Sequence, residues 1–342
     1  MKKLSVLLVL VLLLTLFAGC RQDAKPTSPA TTAPAGTSEP AGSSAPVGTS
    51  APADGGAVHP MLFHVTGKDG EEAYLFGTIH VGDERVDTAL NKIAPYLDGC
   101  DALAVEFDVV AFEQDLQAQM DSMTRFLLTD GTRISDHMPP ELFEKASALL
   151  GEAGLYPKLM ELYDLSMWAQ LVEQAALLTR TSYNMEIGMD RSLIRHCYDK
   201  KIEVRDVESA ELQYELLAGL SDELNLLLIR NTLDNLDEYG AGVDELYAAW
   251  LQGDPAALTE VLTGEEEGAD DLSDAERALL EDYYDQLLTK RNLGMRDKAV
   301  EWLRSGDKVF FAVGAAHLLG EGGLIELLQA GGYVVEQLNY EP

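Results

Sequence analysis

The sequence predicts an α/β fold: a central mixed or mainly parallel sheet, built from strands near the two ends of the folded region, with a large helical insertion between them. Three observations predict it. Apolar and β-branched runs bounded by turn residues fall at 61–66, 73–79, 102–107, 202–207, 308–313 and 333–338. Two of them, "ALAVEF" and "VFFAVG", are nearly continuous in apolar residues, as strands covered on both faces are. From about 110 to 305, Leu, Ala, Met and Glu recur at three- and four-residue spacings, the period of helices with one buried face.

Taken in order, the first two runs are separated by "GKDGE", rich in turn formers, and read as a hairpin. The others are separated by helical stretches, so they pair in parallel or mixed fashion. The run at 202–207 is a short strand inside the helical stretch. Helices need a sheet to cover, so the terminal strands must meet, which makes 57–342 one domain with an insertion at about 110–305. The acidic run "GEEEGADD" at 264–271 lacks the spaced ligands of a calcium loop and reads as a solvated loop.

The chain opens with Lys2 and Lys3 followed by an apolar stretch at 4–18, the charged head and short hydrophobic body of a secretory signal. It is shorter than the roughly 20 residues of a membrane-crossing helix. "LFAGC", ending at Cys20, resembles a bacterial lipobox, in which the cysteine thiol is acylated and carries the fatty chains, palmitate among them. Residues 1–19 are therefore expected to be a lipoprotein signal. Residues 21–56 are almost wholly Ala, Pro, Thr, Ser and Gly, too poor in apolar surface to offset the entropy of ordering. With Cys20 they make a lipidated, disordered tether, expected to hold an exported domain outside the cell membrane.

A formal net charge of -33 argues for solubility and against nucleic acid as a partner. Besides Cys20 there are only Cys100 and Cys197, which imply no disulfide framework; whether they pair stays open.

Chemistry concentrates at strand ends. "YLFGTIHVGDE" and "FFAVGAAHLLG" are each an apolar strand running into Gly-x-x-His, ending at His80 and His317. Ligands collect at the carboxyl ends of strands in open α/β sheets. Glycine three residues before each histidine permits close backbone approach. Glu106 ends a third buried run, where an unpaired charge is costly, and Asp108 follows in the same phase. Two imidazoles and a carboxylate suit an open divalent-metal site. The same groups suit general acid–base catalysis without metal. Asp83 and Glu84 are candidates for a further oxygen ligand. Asp190 reads as a helix start, and Glu208 follows a strand and is a candidate for the same crevice. His59, His64, His137 and His196 lack the strand-end context and read as structural or surface residues.

The ordered motifs "YLFGTIHVGD", "LAVEFD", "GMDRSLI", "KKIEVRDVES", "KRNLGM" and "FFAVGAAHLLGEGG" resemble the TraB/GumN family, related to the Tiki proteins, over 60–338. The resemblance implies a metal-dependent hydrolase of the Tiki peptidase type acting on a peptide or protein. Its active site would be His80, Glu106 and His317, with a divalent ion such as Mn, Co or Zn. Arg291 and Asn292 match the family's Arg-Asn element, a clamp for a substrate carboxylate or oxyanion and an orienting amide. The alternative is a non-catalytic module that captures a peptide and so inhibits signalling; relatives are implicated in shutting down a peptide pheromone response.

Overall fold

The computed structural model describes residues 58–156, 158–263 and 272–339. The expected signal at 1–19, Cys20, the expected tether at 21–56 and the acidic run at 264–271 lie outside the described residues. Within them the chain forms one sheet of β1 (Leu62–Thr66), β2 (Glu72–Thr78), β3 (Ala102–Val105), β4 (Glu203–Asp206), β5 (Val309–Gly314) and β6 (Val334–Gln337). Their spatial order is β4-β3-β5-β2-β1-β6.

β1 and β2 make the hairpin, with Phe63 opposite Leu75, and β6 pairs antiparallel on the free edge of β1. The other four strands are mutually parallel: β5 lies between β2 and β3, and β4 pairs with β3. The sheet is thus mixed, and strands from the two ends of the chain interleave at its centre. Every residue of β3 and nearly every residue of β5 is buried, so both faces are covered there. The parallel set matters most for function, because four strands deliver their carboxyl ends to one edge.

Helix Arg85–Leu97 carries the chain from β2 to β3 and buries Val86, Ala89, Ile93 and Leu97, one face at spacings of three and four. Helix Met189–Lys200 packs on it and on β3 and β4. It ends at Lys201, whose left-handed backbone (φ 60°) turns the chain into β4.

The insertion is centred on helix Leu165–Arg180, buried at 12 of its 16 residues and packed by helices Pro140–Glu152, Asp222–Asp234 and Leu236–Gln252. Asp164 caps it, its carboxylate accepting from the Met167 amide at 3.0 Å. Within this layer Glu173 accepts from the Tyr239 hydroxyl at 2.8 Å and the Thr232 hydroxyl at 3.0 Å, and burial pushes its carboxyl up to about 7. The return path is helix Asp274–Tyr284, a widened π-helical turn at Asp285–Thr289, and helix Lys290–Ser305, which leads into β5. Cys100 and Cys197 are free thiols, both pushed up to about 12 by burial.

Candidate active site

Register brings the two Gly-x-x-His segments together. Thr78 pairs with Gly314 at the ends of β2 and β5, and Val105 pairs with Ala312, so His80, Glu106 and the turn to His317 leave the sheet side by side. The ladder continues past β3 and β4, where the Glu208 amide donates to the Glu106 carbonyl at 2.9 Å. His80, Glu106, Arg291 and His317 line one cleft of about 460 Å³, open to solvent.

Each glycine has its own reason. A Cβ on Gly77 would meet the Met61 methyl at 2.7 Å and Ala315 at 3.0 Å, so the two strand ends close up only without it. A Cβ on Gly314 would stand 3.2 Å from a Glu106 oxygen, crowding the bond by which the Gly314 amide donates to that oxygen at 2.9 Å.

The two imidazoles are held differently. The Asn292 amide donates to the Gly322 carbonyl at 2.9 Å, which presents its own oxygen to Nδ1 of His317 at 2.7 Å. Nδ1 therefore carries the proton and Nε2 bears the free lone pair. Burial, with Arg291 adding repulsion, pushes His317 down to about 3, so the ring is neutral at ordinary pH. At His80, Nδ1 lies 3.3 Å from the Asp190 carboxylate. Burial disfavours the charged ring, yet Asp190 and then Glu106 outweigh it and raise His80 above the usual imidazole range.

Asp190 reaches His80 because its helix docks directly on that segment. The Met189 amide donates to the Ile79 carbonyl at 2.8 Å, and a Cβ on Gly188 would lie 2.4 Å from the His80 carbonyl oxygen. Fully buried Arg191 then ties the same helix to Glu113, beyond the turn that follows Glu106.

Glu106 sits in a charged network. Its Oε2 accepts from Arg291 Nη2 at 2.6 Å and Gln213 Nε2 at 2.9 Å. Arg291 also donates to Glu208 from Nε at 3.0 Å and Nη2 at 2.7 Å, and from Nη1 to the Leu287 carbonyl in the widened turn at 3.1 Å. Four of the five guanidinium N–H groups are thereby committed within the protein. Arg291 is accordingly a positioning residue for Glu106 and Glu208, and the expected clamp on substrate would have to come from its single remaining N–H. Burial alone would raise the Glu106 carboxyl, but Arg291 holds it well below the usual carboxylate range. The same pair of carboxylates raises Arg291 against the cost of its burial.

Other sequence candidates are engaged elsewhere. Asp83 accepts from Arg85 at 2.6 Å and from the Tyr247 hydroxyl at 3.0 Å, while Glu84 is exposed. Asp108 does not share the phase of Glu106: the chain leaves β3 at Val105, and Asp108 caps the next turn by accepting from the Ala111 amide at 2.9 Å. His64 stacks on Tyr74, His137 meets the Thr132 hydroxyl at 2.6 Å, and His196 meets Asp98 at 2.7 Å. Sequence reasoning missed Gln213, one position on a helix with no local signal, and the apolar wall of the cleft from Leu246, Trp250, Leu258 and Leu262, which reads as ordinary core.

The imidazoles suit a divalent cation, since oxygen partners already fix both Nδ1 atoms and orient the rings as outer-shell partners of metal-bound histidines do. Glu106 is the expected third ligand. Both its oxygens are engaged and it stands 3.9 Å from Nε2 of His317. Among the described residues, no three His, Cys, Asp or Glu side chains are grouped as a ligand set.

The fold is a mixed α/β sheet, with two strand-end histidines and a buried Glu–Arg–Glu network at the carboxyl edge of its parallel strands. The sequence model of the TraB/PrgY/gumN family matches residues 61–337, and the chain is a member of that family. It is 27% identical over 258 residues to the uncharacterized protein YbaP of Shigella flexneri, covering 75% of this chain and 88% of YbaP. Against YbaP of Escherichia coli (strain K12) it is 27% identical over 257 residues, covering 75% and 87%. No solved structure matches the chain.

Proposed function

We propose that the protein is a metal-dependent hydrolase that cleaves an amide bond in a peptide or protein, held outside the cell membrane by a lipid on Cys20. The observation that carries this reading is the convergence of His80 and His317 in one cleft, each with Nδ1 already fixed, beside the ionised Glu106. His80 and His317 would hold the ion, which when bound supplies an acidified water and a Lewis acid. His317 offers an unprotonated Nε2, Asp190 and Asn292 set the two ring planes, and Arg291 keeps Glu106 charged next to them.

The test uses the purified full chain and a broad peptide library read by mass spectrometry. Chelation should abolish cleavage and Mn, Co or Zn should restore it, with His80→Ala and His317→Ala each losing both activity and bound metal. Unchanged cleavage after complete metal removal overturns the metal requirement. Intact recovery of a bound peptide after long incubation replaces the hydrolase with the peptide-capturing module. For the anchor, Cys20→Ala should release the protein from membranes and end its labelling by palmitate.

A further inference from the structure

The cleft has two unlike sides. One is the polar centre, whose cation Arg291 is spent on Glu106 and Glu208. Facing the same space are Leu246 and Trp250, one turn apart on helix Leu236–Gln252, and Leu258 and Leu262, one turn apart on helix Pro255–Thr263. Together they make an apolar surface with no hydrogen-bonding group turned toward the centre. Trp250 is pinned in place: its indole N–H donates to the Gly77 carbonyl at 2.9 Å and its ring stacks on Tyr247 at 5.8 Å. One glycine thus anchors both the strand end that leads to His80 and the wall opposite it.

We infer that this wall is a specificity subsite, taking an aliphatic or aromatic side chain next to the bond that reacts at the histidines and rejecting an acidic one. The inference rests on the hydrolase reading for what happens to the bond, but not for what binds. Water against such a wall finds few polar partners, so an apolar group displaces it favourably. An acidic side chain fares worse: Leu246, Trp250, Leu258 and Leu262 offer its carboxylate neither a cation nor a free hydrogen-bond donor, so it would lose its hydration uncompensated.

The probes are blocked dipeptide amides in which Leu, Phe, Ala or Asp is varied on either side of the central amide. Binding is measured by calorimetry on full-length His317→Ala, where turnover is disabled, and kcat/KM on the full-length native protein. At one of the two positions Leu and Phe should exceed Ala by about 30-fold or more, with Asp giving neither binding nor cleavage. Leu258→Ala should move the preference from Leu toward Phe by about tenfold, and Leu246→Met serves the same purpose if circular dichroism shows that Leu258→Ala fails to fold. Binding with this selectivity but no cleavage would remove the hydrolase and leave the subsite standing. Cleavage of the Leu, Ala and Asp members within about threefold of one another, no binding by any member, or a folded wall variant with native preference would each overturn the subsite.

Discussion

Replacing Arg291 with methionine tests the charged network most directly. The guanidinium side chain is 8% exposed and lies between Glu106 at 15% and Glu208 at 6%, with bonds of 2.6 and 2.7 Å. Methionine fills much of the volume but leaves two carboxylates on adjacent chain segments without a counter-charge. Breaking a buried ion pair from one side costs about 3–5 kcal/mol, because the remaining charge stays desolvated. In a domain of this size that lowers Tm by on the order of 10 °C at pH 7.5. The pH dependence supplies a second readout. In the native protein the Glu106 carboxyl is depressed below its ordinary value of 4.5, so its stabilisation is present above that value and fades as pH falls through the folded one. In Arg291→Met the burial cost loses its main opponent and the Glu106 carboxyl rises, so folding takes up protons and the deficit shrinks between pH 7.5 and 5. Urea denaturation at the two pH values measures both effects. A loss under about 1 kcal/mol, or a deficit that is constant with pH, would refute the reasoning, since either means the carboxylates were never desolvated.

Three further outcomes are expected. Gly188→Ala places a Cβ 2.4 Å from the His80 carbonyl oxygen, which should cost about 1–3 kcal/mol in urea and misalign the Asp190 contact; unchanged stability would mean that the helix docks less tightly than this. Asn292→Leu, nearly isosteric and at a buried site, should leave the fold intact while weakening metal binding about 10–100-fold in a titration, because nothing then fixes Nδ1 of His317. Glu173→Gln should stabilise the protein above pH 7 by up to about 3 kcal/mol: the native carboxyl is raised from 4.5 to about 7, so native stability falls as pH rises through that window and the variant's does not. Parallel stability–pH curves for the two proteins would contradict the burial assigned to Glu173.

The central strands were legible in the sequence because burial on both faces leaves an apolar run. The stretch expected at 102–107 is observed at Ala102–Val105, that at 308–313 at Val309–Gly314, and the hairpin turn falls where Gly67 and Gly70 predict it. Pairing was less legible. Nothing local says that β5 inserts between β2 and β3 or that β6 turns antiparallel, since order and direction are set by which helices must cover which faces. The site followed the same division. His80, Glu106 and His317 announce themselves by sitting at the ends of such runs, and Arg291 and Asn292 by the family pattern. Gln213 and the four wall residues carry no such mark, because a helix face pointing into a cleft has the same composition as one pointing into the core.

Local reading also treated the two histidines as equivalents, and their surroundings make them opposites. Both imidazoles follow a glycine by three residues and line one space, yet one faces a carboxylate through Nδ1 and the other a neutral amide. The charges around each ring set the direction of its shift: at His80, Asp190 and then Glu106 outweigh the cost of burial, whereas at His317 burial and the Arg291 charge outweigh Glu106. The partners come from helices Met189–Lys200 and Lys290–Ser305, about a hundred positions apart in the chain and each fixed by its own docking contact, Gly188 on the His80 carbonyl and Asn292 on Gly322. A site with one ring against a carboxylate and the other against an amide oxygen is therefore a property of the insertion as much as of the sheet. Altering how either helix seats should change protonation at the centre before it changes the positions of the strands.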